Sequence, residues 1–229
     1  TTWLHRELSK CPAIDMGELK EYKCIRNREK GLINKIRRHR KDIKAIKELT
    51  GTKRKPTFSD FLAMPKEHKQ AWMIANNTFY YRYFDSIAHN NSSTLATGDI
   101  SPHYCVLTSQ TLTQTRKQLE RKGFNVKVIF LMRDPVERIW SQVRMIRQKQ
   151  TVQSICNFPT EIDAILGCYS IGRMARNTRY EDTIHNLETA FDSKDIHYEF
   201  YEKFFEKSSY MRLETFLGIP LSMPDFKSR

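Results

Sequence analysis

The run Arg133-Asp134-Pro135-Val136-Glu137-Arg138-Ile139-Trp140-Ser141 holds the residues best suited to grip an anion. It follows a strongly apolar segment and carries its own helix-start signal. Asp134 serves as N-cap, Pro135 occupies the first helical position, and Glu137 stands where a capping box needs it. A helix that begins where a buried strand ends presents free N–H groups and a positive dipole end to a ligand. Arg133 adds a guanidinium able to donate two parallel hydrogen bonds to a phosphate. Ser141, two helical turns on, adds a hydroxyl beneath the same face. The competing reading is a well-capped helix with Arg133 paired to a carboxylate. Thr1-Thr2 offers a second cradle, two hydroxyls at a helix start, as at the tail of a P-loop. No GxxxxGK[ST] accompanies the pair, and a plain N-cap explains it as well.

Elements must hold these groups in place. Leu4 and Leu8 mark a short first helix that Pro12 ends. Residues 58–86, rich in aromatics, read as helical, and Asn90-Asn91-Ser92-Ser93 reads as a loop. Ser109 is the expected cap of a helix running to Lys122 and stopped by Gly123. Val126–Met132 reads as a buried strand, followed by a helix with Ile139, Val143 and Ile146 on one face. Tyr180, Ile184, Leu187 and Phe191 form the stripe of a further helix. Ile196–Tyr201 alternates as a strand, and a last helix ends at Gly218 and Pro220. This alternation predicts an α/β fold with a largely parallel sheet, and the 229 residues predict one domain.

Composition narrows the function classes. Apolar residues make up 39% of the chain, too many for disorder, and no apolar run approaches the length of a membrane span. The formal charge is +13, yet residues 20–55 hold 15 Lys or Arg against 4 Asp or Glu. That block therefore carries nearly all of the excess, and residues 31–50 read as a basic amphipathic helix. Five cysteines without CxxC or paired Cys/His spacing make a structural zinc site unexpected. The odd count fits free thiols in a reducing compartment, while Cys156 and Cys168 could pair in an oxidising one.

Taken together, these residues resemble a sulfotransferase that uses 3′-phosphoadenosine 5′-phosphosulfate (PAPS). Thr1–Pro12 is similar to the second half of that family's 5′-phosphosulfate loop and the helix after it, with Thr1, Thr2 and Trp3 on the 5′ side. Arg133 and Ser141 match its 3′-phosphate motif. Gly98–Tyr104 resembles its Gly-Glu-Lys-Thr-Pro-x-Tyr element, and Phe216–Pro220 its Phe-Leu-Gly-hydrophobic motif. The resemblance spans nearly the whole chain. It implies a P-loop-NTPase-like, three-layer fold with a central, mostly parallel sheet. It also implies that the chain is trimmed at both ends, since the family's loop lysine precedes Thr1 and its closing loop follows Arg229.

The implied reaction moves a sulfonate from PAPS to a hydroxyl or amine, without a metal, and leaves 3′-phosphoadenosine 5′-phosphate. A loose transition state makes positioning and charge stabilisation dominant, and the acceptor needs a general base. Lys20-Glu21-Tyr22-Lys23 falls where the carbohydrate-modifying branch, typified by heparan sulfate sulfotransferases, has Lys-Glu-x-His-Tyr-Phe. Glu21 is accordingly the leading base. The bland alternative is a solvated acid among basic neighbours. His103, in the Ser-Pro-His-Tyr element, is the second candidate. Tyr180 lies on an apolar stripe, and the family often places a tyrosine there near the cofactor.

A carbohydrate is the expected acceptor. The basic block would then serve as a wall for an anionic glycan, against the alternative of a solvated helix face. No nucleic-acid partner and no membrane span are expected. The cysteines favour the cytoplasm, whereas eukaryotic glycan-modifying relatives work in the Golgi lumen. Two other function classes stay open. One is a P-loop small-molecule kinase, which would need Mg²⁺ and a Walker lysine. The other is a nucleic-acid-binding protein using residues 20–55.

Overall fold

The computed structural model describes residues 1–25, 57–224 and 226. The expected basic helix at 31–50 lies outside the described residues. In chain order the first elements are α1 (Thr2–Leu8), β1 (Ile14–Asp15), α2 (Phe58–Leu62), α3 (Lys66–Ala75), α4 (Asn77–Asn90) and β2 (Ala96–Thr97). A 3-10 helix (Pro102–Val106) leads to α5 (Ser109–Glu120), β3 (Val128–Met132), α6 (Pro135–Lys149), α7 (Gln153–Cys156), α8 (Glu161–Ser170) and α9 (Gly172–Arg176). The chain continues through α10 (Tyr180–Ala190), a second 3-10 turn (Ser193–Asp195), β4 (Ile196–Phe200) and α11 (Lys207–Leu217).

The α/β character holds, and both strand pairs are parallel: β1 with β2, and β3 with β4 in the register Val128–Ile196 to Met132–Phe200. Among the described residues they form two separate two-stranded sheets instead of one central sheet. The β3–β4 pair is nevertheless covered on both faces, because alternate side chains of a strand point opposite ways. Phe130, Met132 and Ile196 pack with Leu187, Ala190 and Phe191 from the α10 side. Ile129 and Leu131 turn the other way, toward Leu4 and Leu8 of α1 and Tyr210 and Leu213 of α11. That second face also carries an ion pair, Arg212 to Glu199 at 2.7 Å.

Caps explain where the helices begin and end. The aromatic stretch is three helices, because Pro65 opens α3 and the Asn76 side chain, accepting from Thr78 N–H at 3.0 Å, opens α4. Their aromatics close a core around Tyr22, Phe61, Tyr80 and Tyr83. Gly218 ends α11 at φ 71°, a left-handed conformation that glycine adopts without strain. The cap of α5 is Thr108, not Ser109: its hydroxyl accepts from Thr111 N–H at 3.3 Å. Thr108→Ala is therefore expected to cost about 1 kcal/mol in urea unfolding, and Ser109→Ala roughly a few tenths. Equal losses would return the cap to Ser109.

All five cysteines are free. Cys168 sits 3.0 Å from the Met174 sulfur, and Cys156 faces the Ile146 carbonyl. Among the described residues no helix is long and apolar enough to cross a membrane.

Candidate functional site

Strands β3 and β4 end side by side, with Tyr201 N–H donating to the Met132 carbonyl at 2.6 Å. Arg133 and Tyr201 therefore leave the sheet together, at the carboxyl edge where open α/β folds bind ligands. The Arg133 guanidinium lies 4.9 Å above the Tyr201 ring and donates to Glu137 Oε2 at 3.0 Å. The competing sequence reading, Arg133 on a carboxylate, is what the structure has. It also corrects the expected capping box. Asp134 does cap α6, accepting from Glu137 N–H at 2.9 Å, but the Asp134 N–H goes to Glu202 instead. A guanidinium outcompetes a neutral amide for the Glu137 carboxylate, since charge-assisted hydrogen bonds are the stronger ones.

Tyr180 fixes the backbone here. Its hydroxyl accepts from Arg133 N–H at 3.3 Å and donates to the Arg133 carbonyl at 2.8 Å. Burial pushes that hydroxyl above the usual phenol range, so it stays a neutral donor. The ring itself packs edge-on to Phe130, in the core, as its stripe position foretold. Ser141 is part-buried on α6.

At the start of α1, Thr1 occupies the N-cap position but makes no side-chain capping bond. The Thr2 hydroxyl instead accepts from the Lys20 ammonium at 2.6 Å. Trp3 packs edge-on against Phe204 and Phe205, and its indole N–H is buried without a partner among the described residues. Phe205 in turn meets Tyr201, centroids 5.1 Å apart. A chain of rings, Trp3–Phe205–Tyr201, thus connects the α1 start to Arg133.

The Lys20–Cys24 loop brings Glu21 beside Thr2. One Glu21 oxygen is 2.7 Å from the Lys23 ammonium, and the other is 3.9 Å from that of Lys20. The loop is held by its backbone. Gln70 donates to the carbonyls of Glu21 and Tyr22, both at 2.9 Å. Tyr22 N–H donates to Asp99 at 3.4 Å, and Lys23 N–H to the Ser101 hydroxyl at 3.0 Å. Upstream, Gly17 has φ 67°, and a Cβ there would collide with the Tyr22 and Tyr83 hydroxyls. His103 is exposed on the 3-10 helix two residues after Ser101, so its segment abuts the Glu21 loop.

The structure brings Thr1, Thr2, Trp3 and Glu21 together with the His103 segment, and Arg133 together with Tyr180. Ser141 lies two turns further along α6. Sequence reasoning passed over Lys20 as a neighbour of Thr2, Tyr201 as a platform, and Asp99 and Gln70 as loop clamps. Two of them had a signal: Asp99 by its place in the Gly98–Tyr104 element, and Lys20 by its place in the Lys20–Lys23 motif. Chemically, the edge offers the cations Lys20, Lys23 and Arg133, the hydroxyls of Thr1 and Thr2, and the carboxylate of Glu21. Among the described residues no cluster of three or more His, Cys, Asp or Glu is placed to hold a metal ion.

The profile of a family described as "Sulfotransferase family" matches residues 1–223. The crystal structure of a sulfotransferase from Alicyclobacillus acidocaldarius superposes with a TM-score of 0.60 at 17% identity, covering 100% of this chain and 80% of that one. No curated protein matches the chain.

Proposed function

Because this chain belongs to the sulfotransferase family, we propose that it transfers a sulfonate from PAPS to an acceptor hydroxyl or amine, with a carbohydrate as the acceptor class. The observation that carries the reading is the meeting of Lys20, Thr2 and Glu21. Lys20 bonds the Thr2 hydroxyl at 2.6 Å, so an ammonium, a hydroxyl and a carboxylate converge at the start of α1. Transfer to a hydroxyl needs donors for the anion and a base for the proton at neighbouring points.

The donor set fits a 3′-phosphorylated nucleotide. In our reading Arg133 and Ser141 hold the 3′-phosphate, and Arg133 exchanges its Glu137 carboxylate for the ligand's oxygens. Thr1, Thr2 and Trp3 line the 5′ side. Tyr180 acts on the ligand only through the Arg133 backbone that it grips. Bound PAPS would supply an activated sulfonate and a phosphate leaving group. Glu21 accepts the acceptor's proton on a carboxylate oxygen, with His103 as the second candidate. Lys20 stabilises negative charge near Thr2.

We also read the fold as P-loop-like, a single domain over residues 1–229, supported by the two covered faces of the β3–β4 pair. The +11 excess of residues 20–55 supports an anionic glycan as acceptor. Five free cysteines support a reducing compartment, the cytoplasm.

A nucleotide panel read by thermal shift tests this against the kinase reading. 3′-Phosphoadenosine 5′-phosphate should raise the melting temperature with or without Mg²⁺, and ATP should not. Stabilisation by ATP that depends on Mg²⁺ would favour a kinase.

A further inference from the structure

Asp99 is the hub of a polar cluster that no step above uses. Its Oδ1 accepts from the Ser101 hydroxyl at 2.6 Å and from Tyr22 N–H at 3.4 Å. Its Oδ2 accepts from the Tyr104 hydroxyl at 2.6 Å and the Tyr80 hydroxyl at 3.1 Å. Among the described residues no Lys, Arg or His forms an ion pair with it, so four uncharged donors stabilise this carboxylate. Two of the donors reach back to the same loop: Ser101 accepts from Lys23 N–H, and Tyr104 from Ile25 N–H at 3.4 Å.

That loop needs holding. Lys23 has φ 56°, a left-handed conformation costly for a residue with a Cβ. Such a conformation persists only where the surroundings impose it. Here the imposing bonds are those to Asp99 and Ser101 on one side and Gln70 on the other. Glu21 immediately precedes the two clamped N–H groups, so the direction of its side chain follows from theirs.

We propose that Asp99 is a positioning residue, holding the Tyr22–Lys23 backbone so that the Glu21 carboxylate meets the acceptor's proton. This rests on the reading of Glu21 as base. Misplacement of a reacting group by about 1 Å costs up to roughly 100-fold in rate. Asn at this position keeps the size but halves the acceptor atoms. One of its two atoms becomes an NH₂ facing donors, so the clamp loosens without a cavity.

The test compares Asp99→Asn and Ser101→Ala with the parent chain by amide hydrogen exchange and by kinetics. Exchange at Tyr22 and Lys23 should quicken about tenfold or more. Sulfonate transfer should lose about 10- to 100-fold in kcat, with both KM values within about twofold and 3′-phosphoadenosine 5′-phosphate affinity unchanged. Ser101→Ala keeps the measurement open if Asp99→Asn does not fold. Unchanged exchange in both variants would overturn the proposal, as would a raised acceptor KM at constant kcat. Glu21→Gln, run alongside, separates the two failures. If it stays active, the base reading falls, while the exchange data still report on the clamp.

Discussion

Glu21→Gln is expected to lower kcat by about 10²- to 10⁴-fold, the usual contribution of a general base. The substitution keeps the side chain's volume and removes its charge and basicity. It leaves the backbone clamps untouched, since Gln70 and Asp99 bind main-chain atoms of the loop. The lost ion pair with Lys23 is solvent-exposed on the lysine side, and such pairs are worth about 0–1 kcal/mol. Melting temperature should therefore barely move, and affinity for 3′-phosphoadenosine 5′-phosphate should stay as it was. Steady-state kinetics decide the matter. Normal turnover in Glu21→Gln together with an inactive His103→Ala would transfer the base to His103.

Arg133→Ala should weaken binding of 3′-phosphoadenosine 5′-phosphate at least tenfold by calorimetry, about 1.4 kcal/mol or more. Tyr180 brackets the Arg133 backbone, and the guanidinium rests 4.9 Å from the Tyr201 ring. Its charge is paired with Glu137, an exposed-side i,i+4 pair that a doubly charged phosphate can displace. Removing that half-exposed pair costs little stability, so the loss should appear in binding and not in unfolding. Adenosine 5′-phosphate, which lacks the 3′ group, supplies the control and should lose almost nothing. Equal losses for both nucleotides would move the 3′-phosphate away from Arg133.

Much of the fold was readable because its signals are local. Asp134-Pro135 opens α6 where the residue types said it would, and the stripe from Tyr180 to Phe191 became α10 with its apolar side on β3. Gly218 ended α11 for the same reason, a conformation only glycine adopts freely. The errors came from competition at close range. Thr108 and Ser109 are both good caps, and backbone geometry chose the first. Glu137 had the spacing of a capping box, but Arg133 lay one turn away with a full charge. Strands β1 and β2 have two residues each, too few for any alternation to register.

The site divides in the same way. Arg133 and Glu21 were singled out because short motifs carry them. Asp99 grips Tyr22 from 77 residues away, and Lys20 reaches Thr2 across 18. Contacts of that span arise only once the core has folded, so no local pattern announces them. The rings from Trp3 through Phe205 to Tyr201 are of this kind too. Each looks like core when read alone, yet together they join the two halves of the edge.

Sulfonate transfer from PAPS is measured with sulfur-labelled PAPS and a panel of glycan, steroid and small-alcohol acceptors. Label is expected on a carbohydrate acceptor, formed without added metal and lowered about 100-fold or more by Glu21→Gln. Label on none of the acceptors from protein that binds ATP with Mg²⁺, or nucleic acid in a steeply salt-dependent way, would contradict sulfonate transfer.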